Sequence, residues 1–200
     1  KSQPKEMLPV GRKPVVQYVV EELTQSGINR LLFITGASKT SIENHFDTDE
    51  RLIHHLRESG REEELQQLDF ERRDVEYFYT RQRRQLGLGH AVLCSKSLVG
   101  SQPFVVALGD SIIGINAKSD IVQRMTEEFE SSQADIVVAF EEVPKADVVR
   151  YGIAKPRGDV GTRFELEDLI EKPSVEEAPS TYAVASRYVL SPAIFEALEE

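Results

Sequence analysis

Short runs of apolar residues alternate along the chain with segments in which apolar positions recur every three or four residues. The runs at 31–35, 75–79, 104–108 and 136–140 are rich in Val, Ile, Leu and Phe. Continuous apolar runs of this length predict buried strands, and strands that are apolar on both faces are typical of a parallel sheet covered by helices. The first 140 residues therefore predict a doubly wound α/β sheet with right-handed crossovers.

Helical patterns fill the intervals between these strands. Pro14 suits the first turn of a helix that ends near Gly27, and Ser38 suits the cap of the next helix. The segment 49–68 is charged and amphipathic, and Gly60 predicts a break that divides it into two helices. Further helices are predicted at 89–97 and 119–131.

The pattern changes after residue 140, where short strands with polar connections are predicted. Glycines and prolines between residues 156 and 162 predict a hairpin or a loose loop. The chain opens at Lys1 in a loop and stops at Glu200 inside a helix that begins near Pro192, so we expect a single domain over residues 1–200 that is truncated at both ends. The late strands are predicted at 151–154, 169–173 and 182–190.

Composition and charge narrow the class of protein. The 200 residues are 40% hydrophobic and 29% charged, which is typical of a globular domain with a sizeable core. A net charge of -10 argues against a nucleic-acid partner, and no apolar run is long enough for a membrane span. The single cysteine, Cys94, excludes an internal disulfide and fits the reducing cytoplasm.

A turn near the start of the chain carries the first candidate for chemistry. Lys5 lies between Pro4 and Pro9, immediately ahead of an amphipathic helix. A compact cation held by such a turn could bind a phosphate. From its spacing alone, an ordinary surface lysine in a loop is the simpler explanation.

Two further candidates follow strands, where open parallel sheets bind their ligands. Asp110 comes directly after the run at 104–108, and a carboxylate held there suits Mg²⁺, although an Asp that caps the next turn would look the same. Glu171 and Lys172 end a later strand, and this pair could bind a sugar hydroxyl and a phosphate together. The alternative is an exposed ion pair before Pro173.

A polar segment after the second strand could recognise a nucleobase. The Gln82 side chain offers both a donor and an acceptor, and Gly87 and Gly89 allow close approach of the backbone to a flat ring. A simple capping loop is the alternative. His90 is interpreted as a packed or hydrogen-bonding residue rather than a catalytic base.

Several enzyme classes are disfavoured by missing motifs. The chain contains no HExxH, CxxC, GxSxG or P-loop pattern, so a Walker-type ATPase is not expected. No GxGxxG follows the run at 31–35, which disfavours a dehydrogenase of the Rossmann type.

Eight motifs, taken together and in order, resemble one family. The chain resembles bacterial UTP–glucose-1-phosphate uridylyltransferases (UDP-glucose pyrophosphorylases) over essentially its whole length. The segments SIENHFD and GLGHAVLC separate this family from its thymidylyl- and guanylyl-transferring relatives. The motifs are PKEMLP, KPVVQYVVEEL, SKTSIENHFD, RQ with GLGHAVLCSK, LGD, YGIA, EKP and RYVL.

The resemblance implies a Rossmann-like α/β/α nucleotidyltransferase sandwich with a mixed, mainly parallel sheet. It implies a Mg²⁺-dependent transfer of uridylyl from UTP to glucose 1-phosphate, giving UDP-glucose and pyrophosphate, by a homodimer or homotetramer. Asn44 and His45 belong to a family signature and are expected to act as scaffold. The resemblance implies that Lys5 contacts the nucleotide phosphates, that Gln82 and Gly87 bind the uracil, and that Asp110 binds Mg²⁺. It also implies that Gly152 and Glu171 hold the glucose and that Lys172 binds the sugar phosphate.

Four departures from the family pattern are expected to matter. The family's G-x-G-T-R loop and its second metal-binding Asp would lie before residue 1 and after residue 200, so we expect activity of the complete protein only. The chain reads LGD where LPD is usual, so Gly109 replaces a proline, and Ser186 stands where a glycine is usual before Arg187.

Two other functions remain open from the sequence. One is glucose-1-phosphate thymidylyltransferase or another sugar-1-phosphate nucleotidyltransferase, since uracil and thymine differ by one methyl group. The other is a binding protein that keeps the fold and holds a sugar nucleotide without catalysis.

Overall fold

The computed structural model describes residues 3–65, 74–114, 116 and 118–200. A 3₁₀ turn at Lys5–Met7 precedes the first strand and another lies at Lys145–Arg150. In chain order the elements are β1 (Pro9–Val10), β2 (Lys13–Pro14), α1 (Val15–Gln25), β3 (Arg30–Thr35), α2 (Thr40–Phe46), α3 (Glu50–Glu58), α4 (Glu62–Leu65), β4 (Glu76–Arg81), α5 (Leu88–Leu93), α6 (Lys96–Val99), β5 (Phe104–Ala107), α7 (Ile121–Ser131), β6 (Ile136–Glu142), β7 (Gly152–Arg157), β8 (Glu165–Glu171), β9 (Tyr182–Leu190) and α8 (Ile194–Glu199).

These elements form two compact units. The first unit comprises Lys1–Gln102, Gly109–Val122 and Pro192–Glu200, and the second comprises Pro103–Leu108 and Gln123–Ser191. Within the described residues, no helix is both long and apolar enough to cross a membrane. The single-domain organisation expected from the sequence stays a prediction.

The core of the first unit is built on α1 and on the parallel pair β3–β4. One face of α1 is buried at the spacing of an amphipathic helix, through Val16, Val19, Val20 and Leu23. Gly27, with a φ of 85°, ends the helix in the left-handed conformation that glycine adopts at low cost.

An aromatic cluster covers one face of the β3–β4 pair. The ring of Phe33 on β3 stacks on Phe46 of α2 at 5.1 Å and on Tyr79 of β4 at 5.4 Å. Tyr77 also packs against Phe46, at 5.4 Å. This cluster fixes α2 against the strands and so determines where the residues before α2 lie.

The second unit is a five-stranded sheet centred on β9. This strand is antiparallel to β5, β6 and β7, and β7 is in turn antiparallel to β8. Val148 of the 3₁₀ turn, Ile153 of β7 and Ala183 of β9 are fully buried and form a core cluster.

The predicted α/β fold with a mixed sheet is confirmed. The strands were expected to pair mainly in parallel, and the structure corrects this part of the prediction. In the described residues β3–β4 is the parallel pair, and every pairing in the second unit is antiparallel. Strands β5 and β6 do run in the same direction, but β9 lies between them and pairs with both. The break at Gly60 is confirmed by α3 and α4, while positions 66–68 of the predicted helix lie outside the described residues.

Ser186 adopts a backbone conformation that favours glycine. Its φ is 61°, and it lies in a bulge of β9 where residues 185–187 face the single residue Ala139 of β6. Bulges often require one residue in the left-handed region. This explains physically why the family pattern has glycine at this place.

Replacing Ser186 by glycine should therefore stabilise the protein. We expect the free energy of unfolding to rise by about 0.5–1 kcal/mol, because the strain of a left-handed serine outweighs the extra freedom of glycine in the unfolded chain. Ala185→Gly is the matched control, since Ala185 has no positive φ and the change should destabilise by about 0.5–1 kcal/mol. Urea denaturation measures both, and equal destabilisation by the two variants would contradict the account.

Candidate active site

The turn that carries Lys5 is ordered by its own backbone. The amide of Met7 donates to the Pro4 carbonyl at 3.0 Å, and the amide of Leu8 donates to the Lys5 carbonyl at 3.1 Å. Tyr18 of α1 donates its hydroxyl to the Val10 carbonyl at 2.7 Å, which ties the following segment to the helix. The proline-bracketed turn predicted from the sequence is therefore present.

Lys5 and Asp110 form an ion pair. The Lys5 ammonium contacts a carboxylate oxygen of Asp110. Asp110 lies three positions after the end of β5 at Ala107. The hydrogen bond to Asp110 raises the pKa of Lys5, so the lysine stays charged at neutral pH. The lysine side chain is 68% exposed and the aspartate side chain 27%, which leaves both charges accessible to a ligand.

Glu6, the neighbour of Lys5 in the sequence, forms a second ion pair with Lys39. Glu6 is buried, and one of its carboxylate oxygens accepts a hydrogen bond from the Lys39 ammonium at 2.6 Å. A Cβ added to Gly109 would lie 3.4 Å from the Glu6 Cγ, so the Glu6 side chain also packs against the residue before Asp110. The Glu6–Lys39 pair thus connects the Lys5 turn, the start of α2 and the Asp110 turn.

The residues predicted to hold a nucleobase also lie together. The Gln82 amide nitrogen donates to the Gly87 carbonyl at 3.0 Å and lies 2.9 Å from the His90 Nδ1. Gly87 precedes α5 with a φ of 92°, a conformation that requires glycine. Gln82 is half-buried and Gly87 is exposed, so the loop is open to a ligand.

The predicted sugar-binding residues meet on β7 and β8. Gly152 is the register partner of Glu171, and a Cβ at Gly152 would lie 3.2 Å from a Glu171 carboxylate oxygen. The missing side chain at 152 therefore leaves room for the Glu171 carboxylate. The Lys172 ammonium lies 3.4 Å from the other carboxylate oxygen of Glu171, and both side chains are exposed.

Lys172 has an unusual backbone. Its φ is 48°, and its amide donates to the Tyr151 carbonyl at 2.9 Å. A left-handed lysine immediately before a proline is strained, and such strain concentrates at functional sites. No sequence pattern predicted this conformation.

The contacts of His45 are consistent with the scaffold role expected for it, whereas for Asn44 that role stays a prediction. Asn44 is exposed, whereas the His45 Nε2 lies 3.1 Å from the Gln17 amide oxygen on α1. Because that oxygen can only accept, Nε2 carries a proton. Burial lowers the pKa of His45 below its ordinary value of 6.5, which keeps the ring neutral.

The structure thus brings the predicted residues together in three groups. Lys5 contacts Asp110, Gln82 contacts Gly87, and Gly152 lies beside Glu171 and Lys172. The sequence analysis did not predict the Glu6–Lys39 pair. The partners are 33 positions apart, and no local pattern shows that they are in contact. The position of Glu6 directly next to Lys5 is the signal that the sequence offers, because its burial is known only from the structure.

Asp110 is the carboxylate of the first unit that the sequence predicts as a metal ligand. Among the residues that the structure describes, no cluster of three His, Cys, Asp or Glu side chains could hold a metal ion. A lone Asp110 fits Mg²⁺ in the way typical of nucleotide enzymes, where one or two protein carboxylates share the ion with substrate phosphates.

Comparison with known proteins shows the family of the chain. Residues 1–200 match the nucleotidyl transferase family. The chain is 43% identical over 199 residues to the UTP–glucose-1-phosphate uridylyltransferase YngB of Bacillus subtilis, a match that covers 100% of this chain and 66% of that protein. The chain thus spans about two thirds of the length of this curated relative.

Solved structures give the same result. A UTP-bound UDP-glucose pyrophosphorylase from Acinetobacter baumannii aligns with a TM-score of 0.90 and 36% identity, over 100% of this chain and 70% of that one. A UDP-glucose pyrophosphorylase complexed with UDP-glucose aligns with a TM-score of 0.85 and 36% identity, over 98% and 71% of the two chains. The chain therefore belongs to the nucleotidyl transferase family, in the group of UTP–glucose-1-phosphate uridylyltransferases.

Proposed function

We propose that this protein transfers the uridylyl group of UTP to glucose 1-phosphate and releases pyrophosphate, giving UDP-glucose. The observation that carries the proposal is the contact between Lys5 and Asp110. It places a cation suited to phosphate oxygens beside a carboxylate suited to a divalent cation. Relatives in the same family are uridylyltransferases, and solved relatives bind UTP and UDP-glucose.

The reaction requires little proton chemistry from the protein. A phosphate oxygen of glucose 1-phosphate attacks the α-phosphorus of UTP in line and forms a bond to it. The bond between the α-phosphorus and the oxygen of the leaving pyrophosphate breaks. The attacking oxygen is already anionic at neutral pH, so no general base is needed. Catalysis then depends on positioning two anions and neutralising their charge.

Lys5 and Asp110 would serve the nucleotide phosphates. Lys5 is charged and exposed, and it would exchange its contact with Asp110 for a contact with phosphate oxygens. Asp110 would hold Mg²⁺, which would neutralise charge on the phosphates. The protein's own contribution is to hold one cationic and one anionic side chain at the same place.

Gln82 and Gly87 would recognise the base. The Gln82 amide and the Gly87 backbone can pair with the polar edge of a pyrimidine. The additional methyl group of thymine changes binding by only about 1–3 kcal/mol, so some use of dTTP is expected.

Gly152, Glu171 and Lys172 would hold glucose 1-phosphate. The Glu171 carboxylate can accept hydrogen bonds from sugar hydroxyls, and the gap at Gly152 keeps that carboxylate clear of a side chain. Lys172 supplies a charge for the sugar phosphate.

Lys172→Ala should raise the KM for glucose 1-phosphate by roughly 10–100-fold, because a charge-assisted hydrogen bond to phosphate is lost. The KM for UTP should change little. Lys155→Ala is the matched control, since Lys155 is a similarly exposed lysine on β7 that pairs with Glu167 at 2.7 Å. Steady-state kinetics with both substrates varied measures these values. An unchanged KM for glucose 1-phosphate would favour an ordinary surface ion pair.

Pyrophosphate release by the full-length protein tests the whole proposal. UTP, dTTP, GTP, CTP and ATP would each be offered with glucose 1-phosphate, with and without Mg²⁺. A strong preference for UTP and a requirement for Mg²⁺ support the proposal. A preference for dTTP would indicate a thymidylyltransferase, and no release by a folded protein that binds UDP-glucose would indicate a binding protein.

We also propose that the protein is cytoplasmic and forms a homo-oligomer. A chain with one cysteine suits the reducing cytoplasm, where UTP is available. The family resemblance implies a homodimer or homotetramer, which analytical ultracentrifugation would test.

A further inference from the structure

The amide of Gln82 has a defined orientation. Its nitrogen donates to the Gly87 carbonyl at 3.0 Å, and a carbonyl oxygen can only accept a hydrogen bond. The Gln82 nitrogen, and not its oxygen, must therefore face Gly87. That carbonyl also accepts from the Ala91 amide at 3.2 Å, in the first turn of α5.

His90 uses the second hydrogen of the same amide. The Gln82 nitrogen lies 2.9 Å from the His90 Nδ1, so Nδ1 must accept and the ring must be neutral with its proton on Nε2. The Cys94 sulfur lies 3.8 Å from the same Nδ1, within reach of a weak S–H donor. Both hydrogens of the Gln82 amide are thus used inside the protein, one by the Gly87 carbonyl and one by Nδ1.

The Gln82 oxygen is then the atom left for a ligand. Among the described residues, no hydrogen bond engages this oxygen. A lone acceptor at this place pairs with the N3–H of uracil, whereas the N3 of cytosine is itself an acceptor and would be repelled. A Gln82 amide free to rotate by 180° could present its NH₂ group to cytosine instead.

We propose that His90 is a positioning residue that fixes the Gln82 amide and so makes the base site select uracil over cytosine. The inference rests on the proposed function, because it requires Gln82 to face the base. With the His90 proton on Nε2, a rotated amide loses the hydrogen bond to Nδ1 and places its oxygen against the Gly87 carbonyl. Without Nδ1, the Gly87 carbonyl alone opposes rotation.

The test compares UTP and CTP binding by the full-length protein and by His90 variants, using isothermal titration calorimetry with Mg²⁺. We expect His90→Leu to reduce the ratio of the two dissociation constants roughly tenfold, the usual effect of losing one hydrogen bond. His90→Asn should restore most of the preference, because an Asn side-chain oxygen can occupy the place of Nδ1 as an acceptor. Cys94→Ala should leave the ratio unchanged, because the amide keeps both of its partners.

The outcomes separate this inference from the proposed function. A His90→Leu variant that binds UTP more weakly but keeps the wild-type preference would reduce His90 to a structural residue and overturn the inference. So would an Asn variant that behaves like the Leu variant. A wild-type protein that binds neither UTP nor CTP would instead refute the proposed function, and the inference with it.

Discussion

Asp110→Ala in the full-length protein should lower turnover by roughly two to four orders of magnitude, which corresponds to several kcal/mol of lost charge stabilisation. The fold should survive, because the Lys5–Asp110 pair is largely exposed on the lysine side and such pairs contribute only about 0–1 kcal/mol to stability. Pyrophosphate release measures the turnover, and thermal denaturation measures the stability.

Two further variants make the Asp110 result specific. Asp110→Asn keeps the shape and removes the charge, so it should be nearly as inactive as the alanine variant. Asp159→Ala removes an exposed carboxylate in the loop between β7 and β8 and should keep wild-type turnover. Wild-type turnover in Asp110→Ala would exclude Asp110 from the reaction.

Lys39→Met should destabilise the protein by about 2–3 kcal/mol. The change leaves the buried Glu6 carboxylate without the ammonium at 2.6 Å, and an uncompensated buried charge is costly. Loss of one partner from a fully buried pair costs about 3–5 kcal/mol, and the expected value is smaller because the Lys39 side chain is 32% exposed. Urea denaturation would give the free energy of unfolding.

A double-mutant cycle tests whether Glu6 is the cause. Combining Glu6→Gln with Lys39→Met removes the charge that Lys39 neutralises, so the double variant should recover at least half of the loss seen in Lys39→Met. An additive double variant would show that Lys39 stabilises the protein through other contacts.

The sequence predicted most of the secondary structure but not the pairing of its strands. The apolar runs at 31–35 and 104–108 correspond to β3 and β5, because burial on both faces leaves a continuous apolar signal. No local pattern shows that the last strand in sequence, β9, enters between β5 and β6. Strand order depends on contacts between distant segments, which periodicity does not record.

The candidate site was predicted by residue type, while its supporting contacts were not. Lys5, Asp110 and Gln82 stand in recognisable motifs at the ends of elements. The Glu6–Lys39 pair and the left-handed Lys172 depend on tertiary structure. The family pattern did mark Ser186 as a departure, and the positive φ at that residue supplies the reason.

The central position of β9 has a consequence for how this chain folds during synthesis. Residues of β5 pair with β9 as far apart as Phe104 and Leu190, so the sheet of the second unit cannot be completed until Leu190 has left the ribosome. Pairings so distant in sequence slow folding, and until then β5 and β6 expose unpaired edges that can associate with other chains. Translation pauses or chaperone binding after residue 142 would therefore act on an incomplete sheet, whereas the β3–β4 pair forms from segments synthesised much earlier.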